Sequence, residues 1–207
     1  CRPAVILSEI DLNCSWDVVN QPIEGGVLYH REDGLLLGTN IITTVLANFQ
    51  YARAWGREKL YPEQADANRD QLVIAQIVHN GDWDPTPHAL PNLMKYIQNQ
   101  TTLDVQFKRK VIRLDSPNLF SYPVLYMTGL RDFKLTAAEV QRLRTYLREG
   151  GMLIADAAAG NRAFDVAFRR EMQRVWPKEK LETIPLDAPV YQMPNPIRTV
   201  TYSPLVQ

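Results

Sequence analysis

The chain has 207 residues, with 23 basic and 23 acidic side chains and a formal net charge of zero. That balance disfavours a phosphate-backbone binder, which concentrates Lys and Arg on one surface; the dense basic run Lys108-Arg109-Lys110 lies in an alternating segment and reads as a solvated strand face. No apolar stretch approaches the roughly 20 residues that span a bilayer, because the most apolar window, Ile41 to Phe49, is interrupted by Thr43, Thr44 and Asn48.

Taken from the N-terminus, residues 1–65 read as an arm or the end of a preceding domain. Cys1 and Cys14 are the two cysteines, too few for a disulfide framework or a zinc knuckle. The chain begins at Cys1 and not at Met, and the expectation is a piece of a longer protein. Val5-Ile6-Leu7 is short and apolar, as a buried strand requires. Pro22 and Gly25-Gly26 then break the chain, and Arg31-Glu32-Asp33 reads as a solvated turn. Ile42, Val45, Leu46, Phe49, Ala52 and Trp55 recur near helical spacing, which predicts a helix from Thr39 or Asn40 to about Glu58. Asp66, Asn68 and Asp70 form a polar link into a second unit, residues 66–207.

A regular alternation starts there. Leu72 to Val78 is nearly continuous in apolar residues and predicts a buried strand. Leu90, Leu93, Met94 and Ile97 follow helical spacing, with Pro91 near the start. Residues 103–114 read as the next strand and Pro123 to Met127 as a third. Thr136-Ala137-Ala138-Glu139 is a capping box, and the helix it opens stops at Gly150-Gly151. Met152 to Ala155 is a fourth strand. Phe164, Ala167, Phe168, Met172 and Val175 form a helix stripe ended by Pro177, and Glu182 to Leu186 reads as a fifth strand. This order predicts an open, mostly parallel α/β sheet with helices on both faces. Ligands of such sheets sit beyond the carboxyl ends of the strands, so the loops His79–Asp84, Thr128–Lys134 and Asp156–Phe164 should converge on one edge.

The same loops carry a family resemblance. His79-Asn80-Gly81-Asp82-Trp83, Leu90-Pro91-Asn92-Leu93, Tyr122 to Gly129, Gly150 to Asp156, Phe164-Asp165 and Arg169 to Met172 together resemble the bacterial domain-of-unknown-function family numbered 4159, over roughly residues 70–195. Tyr29 to Gly34 resembles the segment that precedes this domain in some longer members. The resemblance implies a three-layer, flavodoxin-like sheet similar to class I glutamine amidotransferases, with no established activity. It also implies partners among other domains of a longer chain or among envelope-associated proteins, and hence a place in the bacterial cell envelope or periplasm.

An amidotransferase of this fold needs a Cys on a sharp strand-to-helix elbow, activated by a His and a Glu. The family can carry Cys there, but this elbow reads Asp156-Ala157-Ala158-Ala159-Gly160, and no His follows His88. No Gly-x-Ser-x-Gly elbow occurs. No dinucleotide or P-loop glycine motif occurs either, and no cofactor is expected.

Asp156 ends a strand and carries three open readings: an acid/base group, an anchor for the following helix, or an ion-pair partner of Arg131 or Arg162. His79, Asp82 and Asp84 are candidate metal ligands joined by Asp132 and Asp156, weighed against a turn-capping role for the two aspartates and a strand-end hydrogen bond for His79. Trp83 either floors a pocket or packs beneath its loop. Arg162 is placed to receive an anion near a helix start. The candidate ligand-binding edge is therefore Asp82, Trp83, Gly129, Arg131, Asp132, Asp156, Asn161 and Arg162. The leading expectation is a noncatalytic binding module. The alternative is a hydrolase using Asp156 with His79 and Asp82.

Overall fold

The computed structural model describes residues 4–17, 26–54, 73–101 and 109–201, and of 48–54 the backbone alone. Along the chain run β1 (Val5–Ser8), α1 (Asn13–Trp16), α2 (Arg31–Ala54), β2 (Ile74–Val78), α3 (Ala89–Gln100), β3 (Lys110–Arg113), β4 (Val124–Gly129), α4 (Ala137–Arg148), β5 (Met152–Ala157), α5 (Arg162–Val175) and α6 (Pro189–Gln192). Short 3-10 turns at Pro117–Ser121 and Ala158–Gly160 precede β4 and α5.

The five strands form one sheet in the order β1-β5-β4-β2-β3, and every neighbouring pair is parallel. Side chains alternate between faces along each strand. Ile74, Val124, Tyr126, Met152 and Ile154 pack with Leu93, Met94 and Ile97 of α3 and with Leu35, Ile41, Ile42 and Val45 of α2. Ala75, Ile77, Leu125, Met127, Leu153 and Ala155 pack on the other face with Leu143 and Leu147 of α4 and Phe164, Phe168 and Met172 of α5. Three layers result, with both sheet faces dry, and this is why β4 and β5 are buried at every position.

The local signals at α4 hold. The Thr136 hydroxyl accepts from Glu139 N–H, while the Glu139 carboxylate accepts from Thr136 N–H. At the other end Gly150 adopts φ +102°, and Gly151 N–H reaches Tyr146 O while Gly150 N–H reaches Leu147 O, a complete Schellman closure.

Three expectations are corrected. The segment Arg31-Glu32-Asp33 is not a turn but the first turn of α2, where its two acids face the helix's positive end. Two glycines, Gly34 and Gly38, stand in the first turns of this helix although Gly disfavours helix interiors. Gly34 and Gly38 are there because a Cβ would lie 1.9 Å from Ser15 Oγ or 2.8 Å from Leu93 Cδ1. Glu182 to Leu186 forms no strand. Pro185 has no N–H for a ladder, and the place beside β5 belongs to β1, drawn from the segment read as an arm. Finally, Arg109 is not on a solvated face: its side chain is 22% exposed and paired with Asp84. The first half of the strand expected over 103–114, Lys108 included, and Trp55 to Glu58 lie outside the described residues. No described helix is long and apolar enough to cross a membrane.

Candidate functional site at the carboxyl edge

Counted from β2, the chain lays its next strand, β3, on one side and β4 and β5 on the other, so strand order reverses between β2 and β4. The loops after these two strands lock together. Arg131 N–H donates to Gly81 O at 3.1 Å, and Asn80 Oδ1 accepts from Lys134 N–H at 3.2 Å. Gly129 permits the approach, since a Cβ there would lie 2.9 Å from Gly81 O, His79 Cε1 and Phe164 Cδ2.

His79 sits inside this junction. Gly81 N–H donates to Nδ1 at 3.0 Å, which puts the proton on Nε2, and Nε2 lies 2.8 Å from Thr128 O. The ring packs against Phe133 and Phe164, with centroids 4.7 and 5.8 Å away. Burial holds its pKa below the ordinary histidine value, opposed by the Thr128 carbonyl and the charge of Asp82. Both nitrogens of a neutral ring are thus engaged, which is the strand-end hydrogen-bonding role. Asp82 is exposed and takes φ +62°, a left-handed conformation that Asp tolerates better than most residues.

Asp84 turns away from His79 to Arg109, with Arg109 Nη2 3.1 Å from Asp84 Oδ2. Gln76, buried in mid-strand, donates to Trp83 O at 2.9 Å and accepts from Arg109 at 3.2 Å. The Arg109 guanidinium lies 5.7 Å over the Trp83 ring. Trp83 is therefore packed in a polar clamp. Asp132 pairs with Arg170 at 3.0 Å, and that hydrogen bond lowers its pKa. Asn161 caps α5 by accepting from Ala163 N–H at 2.9 Å, and Arg162 is exposed beside it. Among the described residues, no group of three or more His, Cys, Asp and Glu side chains is placed to hold a metal ion.

Asp156 has no accessible surface. Of its three open readings, ion pairing with Arg131 or Arg162 is not the one seen, for its oxygens meet backbone amides. Oδ1 accepts from Leu12 N–H at 2.9 Å and Oδ2 from Asn13 N–H at 3.2 Å. A second buried carboxyl, Asp11, accepts from Cys14 N–H at 2.8 Å and from Ala159 N–H. Burial raises the pKa of both acids, and the charge of Asp11 raises that of Asp156 further; the amide donors oppose this. Burial and the neighbouring acids also raise the Cys14 thiol, away from the thiolate that nucleophilic chemistry requires. Asn13 Nδ2 donates to Thr128 Oγ1 at 3.3 Å. The Tyr126 hydroxyl lies buried beside Asp156 and Thr128 without completing a well-formed hydrogen bond.

The turn after β5 is clasped from outside. Ala159 takes φ +57°, a strained conformation for a residue with a Cβ. Its N–H is held by Asp11, and its carbonyl accepts from Val27 N–H at 3.1 Å. Asp11, Asn13, Cys14 and Tyr126 were not anticipated at this edge. The available signal was Asp11 standing three residues before Cys14, the spacing of an N-terminal helix cap. Their partners on β5 and the following turn lie 143 to 148 residues away in the chain.

A family model described as a domain of unknown function, DUF4159, matches residues 73–204. Comparison with curated proteins finds no match.

Proposed function

The chain belongs to the DUF4159 family, whose description assigns no activity, and from that premise we propose a noncatalytic α/β module that binds a ligand or a protein partner at the carboxyl edge of its sheet. We further propose that the fold is flavodoxin-like and related to the glutamine amidotransferase sheet. The strand order supports this: counted from β2 it runs 2-1-3-4, and β1 fills the fifth place.

One observation carries the noncatalytic reading. The strand-to-helix turn offers alanines where a nucleophile would stand, and Asp156 beneath it is fully buried with both oxygens accepting backbone amides. The hydrolase reading, which uses Asp156 with His79 and Asp82, draws no support from the geometry, because His79 has both nitrogens engaged and Asp156 is buried against backbone amides. The exposed groups bordering the strand reversal are Asn80, Asp82, Arg131, Asp132 and Lys134, with Arg162 on the neighbouring turn. This mixed-charge rim suits polar recognition of a protein surface more than a steering field of one sign. Partners of this kind are other domains of a longer polypeptide or envelope-associated proteins.

Two measurements test this. Purified chain is assayed with p-nitrophenyl acetate and with glutamine, and no turnover above buffer is expected; turnover abolished by Asp156→Asn refutes the noncatalytic reading. Partner capture, with the bound protein identified by mass spectrometry, is compared for wild type, Arg131→Ala with Arg162→Ala, and Arg148→Ala on the far end of α4. Loss in the edge variant alone supports the edge; equal capture by all three refutes it.

A further inference from the structure

The N-terminal segment is fastened to the end of β5 by an unusual set of contacts. Leu12 and Asn13 donate their amides to Asp156, and Ala159 donates its amide to Asp11, so each side offers a carboxylate to the other's backbone. Cys14 N–H closes Asp11 into its own turn. Neither carboxyl has accessible surface. We propose that Asp11 and Asp156 form a proton-dependent latch, which holds residues 5–16 on the edge of β5 while the pair retains a proton and loosens them when both acids are ionised.

Among the described residues, the titratable groups that act on the pair are acidic or neutral. Asp11 precedes α1; Cys14 lies on α1 and Asp17 just after it; Tyr126 comes from β4 and Asp156 from β5. Arg31, a basic side chain near α1, donates to the backbone carbonyl of Asp17 at 2.7 Å. Four amide donors favour the ionised carboxylates, but burial is the larger effect on each. A docked pair therefore keeps protons that a solvated segment gives up near the ordinary aspartate value of about 3.9. Docking is strongest below that value and weakens as pH rises toward the docked values. Loosening uncovers Asp156 and the Ala159 amide at the carboxyl edge. The inference stands without the binding reading above.

Amide hydrogen exchange of the full chain between pH 5 and 8, corrected for intrinsic exchange chemistry, tests it. Protection of the Leu12, Asn13, Cys14 and Ala159 amides should fall with rising pH, by up to about tenfold per pH unit for each proton released. The amides of Ile77, Leu125 and Met127 in the middle of the sheet should not follow. Asp11→Asn and Asp156→Asn each remove one charge while keeping an acceptor oxygen, and each should flatten the dependence. Trp16, buried 5.9 Å from Tyr126, gives an independent readout through a red shift of its fluorescence on loosening. Protection that falls in parallel across the whole sheet overturns the latch, as does a slope left unchanged by either Asn variant that folds.

Discussion

Replacing Gly129 by Ala tests whether the loops after β2 and β4 form one rigid junction. The new methyl group would lie 2.9 Å from Gly81 O, His79 Cε1 and Phe164 Cδ2, inside van der Waals contact on three sides. None of these neighbours is a free side-chain end. Gly81 O accepts from Arg131 N–H, the His79 ring is fixed by two hydrogen bonds, and Phe164 is fully buried between strand and helix. Overpacking of this kind costs about 1–3 kcal/mol. Displacing the Gly81 carbonyl or the His79 ring adds about 0.5–1.5 kcal/mol for one weakened hydrogen bond. The expected loss is about 2–4 kcal/mol, which in a chain of this size lowers Tm by about 5–15 °C. Urea and thermal unfolding followed by far-UV circular dichroism measure it. A loss below about 0.5 kcal/mol would show that the two loops yield easily, and the close approach at Gly129 would no longer explain why glycine stands there.

Two further outcomes follow from the same structure. The pKa of His79 is lowered in the folded chain, so the unfolded chain takes up its proton first; the stability His79 contributes is present at neutral pH and is lost as pH falls through about 6.5. The readout is the stability difference between wild type and His79→Gln in urea melts from pH 7.5 to 5.5, because Asp11 and Asp156 act with opposite sign, and a difference independent of pH contradicts the assignment. Glu171, fully buried between Arg170 and Arg174 and accepting from Leu135 N–H, should cost about 2–3 kcal/mol as Glu171→Ala: removing one partner of a buried pair is expensive, but both arginines are partly exposed and can regain water. Glu171→Gln, which keeps an acceptor for Leu135, should lose less in the same urea melts, and equal losses would deny that hydrogen bond its share.

The parts of the fold legible in the sequence were those written in local terms. Thr136 with Glu139, Gly150 with Gly151, and the apolar runs of β2, β4 and β5 each carry their signal within a few residues. Helix α2 was half legible: Ile42, Val45 and Leu46 mark its buried stripe, while Gly34 and Gly38 masked its start because they answer to Ser15 and Leu93 rather than to their own helix. At the site, the elbow without a thiol could be read directly, as could the place of Asp156 near the end of a buried strand. Its partners could not. An acid at the end of a buried strand looks the same in sequence whether it meets Arg162 in the next turn or the amides of Leu12 and Asn13. That choice is made by the docking of β1, a four-residue strand whose register with Leu153 to Asp156 depends on the finished sheet.

The strand that comes first in the chain is thus the one that completes the sheet, and this sets an order on biosynthesis. Leu12 meets Asp156 across 144 residues, and at about 5–20 residues per second the ribosome needs roughly 7–30 s to deliver that partner. During the interval the partners of Leu12 and Trp16 on α2 and α3 emerge first, while Asp11 and the amides of Leu12 and Asn13 wait for β5 and the turn after it. Residues 5–16 should therefore reach their final anchorage on the sheet only once β5 has emerged.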